Sequence, residues 1–315
     1  MIARRRRPPP GAGIRASLNP WENRLNVKAF FTRPEVRHEG YLEFPPLFNA
    51  DAKVVQRMSP LLQRVMVVDP QPASARLIGE LMRDIARSQV WVAESNEKAL
   101  RLANSYDPHI VFVELSAGEV DGITFTKALR RSHMAARYAP VIMVTGQATA
   151  AGILGARDAG VHEFLRKPFT MKDLLRRLEA VTMRQRDWVE AVNYVGPDRR
   201  RFNSGDYSGS LKRRSDSQAT PDSEKLAQAL KILRSAIGAV GSDPVQAMRS
   251  MQAQVTELRK CGMSVADLKL TTAAIDFGRY LDEAEKKGAP YDQAALEAKA
   301  GSLLAYMPKE AAAAA

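Results

Sequence analysis

Short apolar runs alternate with helical stretches between residues 64 and 187. The runs have the length of buried strands and fall at residues 65–68, 90–93, 110–115, 141–145 and 161–165. Apolar residues recur at helical spacing between and after them, at 73–86, 95–105, 121–131, 149–159 and 171–186. Strands of a parallel sheet are covered on both faces and need crossover helices between them. The alternation predicts an α/β fold with a doubly wound, five-stranded parallel sheet.

A second pattern, purely helical, covers residues 223–307. Four apolar stripes at helical spacing are separated by glycine or Asp-Pro breaks. The stripes consist of Leu226, Leu230, Leu233, Ile237 and Val240, then Val245, Met248, Met251, Val255 and Leu258, then Leu270, Ala274, Phe277 and Leu281, and finally Leu296, Ala300, Leu303 and Met307. They predict a C-terminal all-α region, a small bundle or helical hairpins, whose apolar faces form a core or meet a partner helix.

The remaining segments lack a regular apolar pattern. Residues 1–63 predict a mostly disordered arm rich in arginine and proline, with a short helix at 51–63 broken by Pro60. Residues 188–222 predict a basic linker, and residues 308–315 predict a tail.

The linker contains a tandem repeat with a period of 13 residues. The pattern Tyr-x-Gly-x-x-basic-Arg-Arg begins at Tyr194 and again at Tyr207, and its basic positions are Arg199, Arg200, Arg201, Lys212, Arg213 and Arg214. Basic triplets beside a tyrosine can hold phosphate, nucleic acid or an acidic partner. The alternative is a flexible linker with solubilising charge, and both interpretations stay open.

Charge and composition narrow the class of protein. The net charge is +12, with 11 basic and 5 acidic residues in 1–60 but 12 of each in 222–315. This excess can attract nucleic acid or anionic partners, or can be a solvated tail. There is no apolar run long enough for a membrane span and no signal-peptide pattern. Cys261 is the only cysteine, which excludes an intramolecular disulfide and fits a reducing cytoplasm.

Four polar side chains fall at the ends of predicted strands: Asp69, Glu114, Thr145 and Lys167. The carboxyl ends of parallel strands meet at one edge of the sheet, where open α/β proteins bind ligands. We therefore expect the four residues to form one constellation.

These residues lie in motifs that give residues 64–187 a resemblance to a known family. With VMVVD, VELSAGEVDG, PVIMVTG and AGVHEFLRKPFT in this order, the segment resembles the response regulator receiver (CheY-like) family of bacterial two-component signalling. The resemblance implies a flavodoxin-like fold in which Glu114 stands at the phosphoacceptor position and Asp69 is an acid of the magnesium pocket. It also implies that Thr145 and Lys167 bind phosphoryl oxygens and that Phe164 is the switch aromatic.

Three positions depart from the family pattern. The acceptor position is Glu114 instead of aspartate, the second acid is replaced by Pro70, and Gly118 replaces a proline. Glutamate is one methylene longer than aspartate, and a misplacement of about 1 Å can reduce a rate about a hundredfold. Pro70 supplies no carboxylate to Mg²⁺, which prefers oxygen ligands in octahedral geometry. We expect no resident cofactor, and binding of Mg²⁺ stays open as an alternative that Pro70 weakens.

Three interpretations of Glu114 follow. Its longer carboxylate can imitate the phosphorylated state by reaching Thr145 and Lys167, or it can simply pair with Lys167 in an inactive relic. The third interpretation is a receiver that still accepts phosphate.

The functional expectation is a cytoplasmic signalling adaptor, not an enzyme, with a degenerate receiver that binds a protein partner. The resemblance implies that partners bind the fourth helix, fifth strand and fifth helix of the receiver around Phe164, and the C-terminal helices offer a second docking or homodimerisation surface. Residues 190–315 contain no histidine, which excludes a histidine phosphotransfer domain. A nucleic-acid-binding regulator that uses the basic arm and linker remains the alternative.

Overall fold

The computed structural model of the chain describes residues 47–184, 186–199 and 221–307. Its strands are β1 (Arg64–Val68), β2 (Gln89–Ala93), β3 (Ile110–Glu114), β4 (Ser116–Ala117), β5 (Val120–Asp121), β6 (Val141–Thr145), β7 (Glu163–Arg166), β8 (Trp188–Glu190) and β9 (Val195–Pro197). Its helices are α1 (Leu47–Met58), α2 (Pro72–Ala86), α3 (Asn96–Tyr106), α4 (Gly122–Arg131), α5 (Ala150–Ala159), α6 (Met171–Met183), α7 (Pro221–Gly238), α8 (Pro244–Ser264), α9 (Leu268–Lys287) and α10 (Gln293–Leu304). Two 3-10 helices span Ser59–Leu62 and Ala135–Tyr138.

The central sheet is parallel, with the strand order β2-β1-β3-β6-β7. All five residues of β3 and of β6 are buried, including the polar residues Glu114 and Thr145 that follow the four apolar residues of each strand. The predicted doubly wound sheet is therefore confirmed. The chain crosses to opposite sides of the sheet on leaving β1 and β3, so the crevice at their carboxyl ends is a topological switch point.

Helices cover both faces of this sheet. One face carries α2 and α6, and the other carries α3, α4 and α5. Residues just before β1 also join the first of these layers, since Met58 and Leu62 are fully buried in its core. The helix expected at 51–63 is thus α1 followed by a 3-10 turn at Ser59–Leu62, which contains Pro60. Residues 1–46, expected to form most of the arm, lie outside the described residues.

The segment predicted as a linker begins with an ordered hairpin. Strands β8 and β9 pair antiparallel, with Trp188 opposite Pro197 and Glu190 opposite Val195. The first copy of the tandem repeat lies in this hairpin, where Tyr194 is buried. The second copy, at 207–214, lies outside the described residues.

The C-terminal region is helical, as predicted, and consists of α7 to α10 around one apolar core. An aspartate caps each of α8, α9 and α10: the side chains of Asp243, Asp267 and Asp292 accept backbone hydrogen bonds in the first turn. Val192 of the hairpin turn belongs to the same apolar core. Within the described ranges, no helix has both the length and the hydrophobicity needed to cross a bilayer.

A neutral imidazole joins β6 to β7 at the amino ends of these strands. Nδ1 of His162 accepts a hydrogen bond from the Val141 backbone N–H at 3.3 Å and lies 3.2 Å from Nη2 of Arg130. Burial, followed by the positive charges of Arg130 and Arg186, lowers the pKa of His162 well below its ordinary value. A proton on Nδ1 would break the backbone bond and face a guanidinium.

We expect His162 to make the fold sensitive to acid. The unfolded chain takes up a proton at this side chain below pH of about 6.5, whereas the folded chain does not. The free energy of unfolding should therefore fall with decreasing pH by up to about 1.4 kcal/mol per pH unit more than in His162→Asn, whose amide oxygen can accept the same bond. Urea denaturation at several pH values between 5 and 7.5 measures this difference, and parallel curves for the two proteins would contradict the assignment.

Candidate functional site

Three charged side chains lie together at one edge of the sheet, at the carboxyl ends of β1 and β3 and just after β7. Asp69 follows β1, Glu114 is the last residue of β3, and Lys167 follows β7. Asp69 and Glu114 are only 4% and 7% exposed. Ser74, in the first turn of α2, completes the group from the helix that follows β1.

The ammonium of Lys167 lies at the centre of this cluster. Its Nζ donates to Oε2 of Glu114 at 2.7 Å, to Oδ2 of Asp69 at 3.0 Å and to Oγ of Ser74 at 2.7 Å. A lysine ammonium has three protons, so these contacts use all of its donors. Burial lowers the pKa of Lys167, but the hydrogen bonds and charges of Glu114 and Asp69 together raise it above its ordinary value. The side chain is therefore held in its charged form.

Backbone amides hold the remaining carboxylate oxygens. Oδ1 of Asp69 accepts from the N–H of Gln71 at 2.8 Å, and Oε1 of Glu114 accepts from the N–H of Leu115 at 3.0 Å. Each of the four carboxylate oxygens thus has a partner, which a buried charge requires. The pocket is a closed network of hydrogen bonds.

Thr145 of the predicted constellation and Phe164, the expected switch aromatic, do not join this side-chain network. Thr145 is buried, and its hydroxyl accepts from the N–H of Gln147 at 3.1 Å. In the described part of the chain, no hydrogen bond joins the Thr145 hydroxyl to Glu114 or to the Lys167 ammonium, although the backbone N–H of Lys167 donates to the Thr145 carbonyl at 2.7 Å. Phe164 is half-buried and packs against the core beneath α3, α4 and α5. The structure therefore joins the side chains of Asp69, Glu114 and Lys167 and leaves the side chains of Thr145 and Phe164 outside their network.

The two other departures from the family pattern are neighbours in space. A Cβ placed on Gly118, in the β4–β5 turn, would lie 3.6 Å from the ring carbons of Pro70. Gly118 has φ +53, a left-handed conformation that favours glycine. The loop after Glu114 consequently lies against Pro70, at the position where the family places a second acid.

A divalent cation fits these residues poorly. Asp69 and Glu114 are the two carboxylates of the pocket, and the Lys167 ammonium already bridges them. Pro70 has no side-chain oxygen to offer in place of the missing ligand. Across the described ranges, no group of three or more His, Cys, Asp or Glu side chains is arranged to hold a metal.

Of the six basic positions of the tandem repeat, the side chain of Arg199 is the one the structure describes. It donates to Oδ1 of Asp158 at 2.8 Å and lies 4.3 Å from the centre of the Tyr194 ring. Arg199 is thus engaged within the protein itself. The other five, Arg200, Arg201, Lys212, Arg213 and Arg214, lie outside the described residues.

Sequence reasoning missed Ser74 and Glu190. Ser74 follows Pro72 at a helix start, where a hydroxyl suggests a cap and nothing in the pattern links it to a lysine 93 residues later. Glu190 is 5% exposed and pairs with Arg137 in a buried ion pair. The segment around Glu190 is rich in charged residues, so the sequence did not distinguish Glu190 from its charged neighbours.

Comparisons with known proteins find similarity in the α/β domain. The family model described as response regulator receiver domain matches residues 65–179. The DNA-binding dual master transcriptional regulator RpaA of Synechocystis is 28% identical over 123 residues, which are 39% of this chain and 50% of RpaA. The probable chemotaxis protein CheY of Rhizobium etli is 27% identical over 118 residues, 38% of this chain and 91% of that protein. The solved chemotaxis protein CheY4 of Vibrio cholerae is 22% identical, with a TM-score of 0.36 over 38% of this chain and 98% of its own. The chain therefore covers only half the length of RpaA.

The ammonium should be essential to the stability of the pocket. Lys167→Met leaves two buried carboxylates unpaired, and we expect the free energy of unfolding to fall by about 3–5 kcal/mol. Lys172→Met removes an exposed ammonium from the start of α6 and should change it by less than about 0.5 kcal/mol. Urea denaturation measures both variants. Equal stability of the two would show that the Lys167 network contributes nothing.

Proposed function

Residues 65–179 are a response regulator receiver domain of two-component signalling, and from this premise we propose that the chain is a signalling adaptor whose receiver no longer turns over phosphate. The observation that carries the proposal is the Lys167 ammonium, whose three protons are donated to Glu114, Asp69 and Ser74. No donor of this lysine is left for an incoming phosphoryl group.

Phosphoryl transfer would have to overcome several obstacles at once. The nucleophile needs near-attack geometry, but the longer side chain of Glu114 is drawn to Lys167 at 2.7 Å. The transition state needs Mg²⁺ to neutralise its charge, and Pro70 removes one of the expected ligands. The protein is therefore proposed to have no phosphotransfer activity, no resident cofactor and no other enzymatic chemistry.

The geometry favours a locked pocket over an imitation of the phosphorylated state. A mimic would contact both the lysine and the hydroxyl at the end of β6, but Glu114 bonds only the lysine of this pair. Its carboxylate also carries about −1 charge, compared with nearly −2 for a phosphoryl group. We therefore propose a receiver with one fixed conformation.

A fixed receiver acts through the surface it presents. The face formed by α5, β7 and α6 carries two exposed apolar side chains, Leu154 at 50% and Met171 at 38%. Arg166 and Lys172 are exposed on the same elements. This combination suits a cytoplasmic protein partner that offers apolar groups beside acidic ones. The helical domain, with exposed Leu268 at its α8–α9 turn, is proposed as a second docking or self-association surface.

Binding of nucleic acid is the second candidate. It is supported by the basic arm and linker and by relatives such as RpaA, whose name describes DNA binding. The match to RpaA ends with half of that protein, and Arg199 of the linker is paired with Asp158. These observations favour the adaptor.

Incubation with acetyl phosphate and Mg²⁺ tests the locked receiver. We expect no acyl phosphate on Glu114, because the carboxylate is too long and its lysine is occupied. The double variant Pro70→Asp/Glu114→Asp restores both acids of the family pattern and should become phosphorylated. Intact-mass spectrometry before and after hydroxylamine treatment detects the acyl phosphate. Stoichiometric labelling of the unmodified protein at Glu114 would falsify the proposal.

A pair of leucine variants tests the partner face. Leu154→Asp places a charge on the α5–β7–α6 face, and Leu61→Asp places one at 48% exposure on the 3-10 helix before β1. We expect affinity capture from the native cell to lose the partner with Leu154→Asp and to retain it with Leu61→Asp, since an unpaired charge in an interface is costly. Quantitative mass spectrometry of the eluates measures this. Equal recovery with both variants would place the interface elsewhere.

A further inference from the structure

The β8–β9 hairpin lies between the receiver and the helical domain and is bonded to both. Its first strand carries Glu190, a charged residue that is 5% exposed. The Glu190 carboxylate accepts from Nη2 of Arg137 at 2.8 and 3.1 Å and from Nε1 of Trp188 at 3.0 Å. It also accepts from Nε2 of Gln246, in α8, at 2.8 Å. One buried carboxylate therefore joins the receiver, the hairpin and the helical domain.

Helix α8 presents a polar stripe to this hairpin. Gln246, Ser250 and Gln254 are spaced four residues apart, lie on one face of the helix and are 2%, 0% and 5% exposed. Oγ of Ser250 and Nε2 of Gln254 each donate to the backbone carbonyl of Glu190 at 3.0 Å. Buried polar groups are costly unless they are bonded, so the stripe fits this hairpin and would be unfavourable against apolar surface. Val192 adds an apolar contact from the turn of the hairpin to the helical core.

On its other side the hairpin packs against the C-terminal end of α5. A Cβ on Gly196 would lie 2.8 Å from Cα of Gly160, closer than real Cβ atoms approach, so the two backbones touch. The guanidinium of Arg130 donates to the Gly160 carbonyl at 3.1 and 3.0 Å and lies 5.3 Å from the centre of the Trp188 ring. The Arg199–Asp158 ion pair closes the same contact.

We infer that residues 188–199 couple α5 of the receiver to α8 of the helical domain, so that loosening either contact loosens the other. The coupling needs no change at the phosphoacceptor pocket, because both contacts lie at the amino ends of β6 and β7. Its consequence for signalling rests on the proposed function: a partner bound to α5 and a ligand of the helical domain would affect each other's affinity reciprocally.

Hydrogen exchange of the full-length chain tests the coupling from the helical side. In Gln246→Ala/Gln254→Ala two buried donors to Glu190 are lost, and we expect backbone exchange to become about tenfold faster in the hairpin. The decisive result is the same direction of change in residues 156–162, across the hairpin from the substitutions. Gln252→Ala removes a glutamine of the same helix that bonds Glu285 at the surface, and it should leave 156–162 unchanged.

The reverse experiment starts from the receiver side. Gly196→Ala introduces a methyl group against Gly160, and we expect about tenfold faster exchange in residues 246–254 of α8. Gly301→Ala on α10 places the same methyl group in open space and serves as the matched control. Should Gly196→Ala fail to fold, Arg199→Gln, compared with Arg279→Gln on α9, is expected to give the same direction with a change of about twofold.

Effects confined to the substituted side in both experiments would overturn the inference. Faster exchange on both sides with the variants, and on neither side with the controls, would support it. Neither readout involves a partner or a phosphodonor, so the coupling can fail while the proposed adaptor function stands, and the reverse is also true.

Discussion

A single ammonium group joins two buried carboxylates at the carboxyl edge of the receiver sheet. Lys167 carries one positive charge, while Asp69 and Glu114 carry two negative charges, and the residual charge is met by backbone N–H groups of Gln71 and Leu115. Buried charges tolerate no missing partner, because an uncompensated ion in the interior costs several kcal/mol. Under the proposed function, each contact that closes the network also occupies a group that phosphate would need.

The requirement that a buried charge be paired also holds where the β8–β9 hairpin connects the receiver to the helical domain. Glu190 is buried beside Arg137, and the stripe on α8 satisfies the carbonyl and the carboxylate of the same residue. Apolar contact alone would allow the helices to slide along the receiver, since the hydrophobic effect has no direction. The register of α8 is fixed by directed bonds to Glu190, together with the Arg131–Asp243 ion pair and the bond from Arg249 to the Arg131 carbonyl. The domains are thus attached through polar specificity, and Val192 supplies the apolar contribution.

Local patterns in the sequence predicted the strands and helices. Side-chain contacts between residues distant in sequence could not be predicted in this way. The strands and helices between 64 and 187 follow from periodicity, because apolar runs and stripes are local signals. The cluster of Asp69, Glu114 and Lys167 follows from parallel topology, which brings strand ends to one edge. Ser74 and Glu190 were missed because their partners are distant in sequence.

Helix α8 shows that contacts with a distant segment can also change which residues of a single helix are buried. Periodicity placed Val245 in the apolar stripe, but it is 57% exposed, and the neighbouring Gln246 is buried at 2%. A helix orientation that buries a glutamine is favourable only when the side-chain amide finds a hydrogen-bond acceptor. Here that acceptor belongs to another segment of the chain. The hydrophobic pattern was correct for Met248, Met251 and Leu258, which face the core of the helical domain itself.

The closed pocket and the hairpin lie at opposite edges of the sheet, and this separation has a consequence for signalling. In a receiver that accepts phosphate, a change of state enters at the carboxyl edge. Here Lys167 bridges the carboxylates at that edge, and under the proposed function a change of state would enter through a surface contact. Helix α5 is exposed at Leu154 and held at its far end by Gly160 against the hairpin, so it spans the distance between such a surface and the helical domain. Under the proposed function, the receiver serves as a scaffold between two binding surfaces, and the ordered hairpin is the segment that joins it to the helical domain.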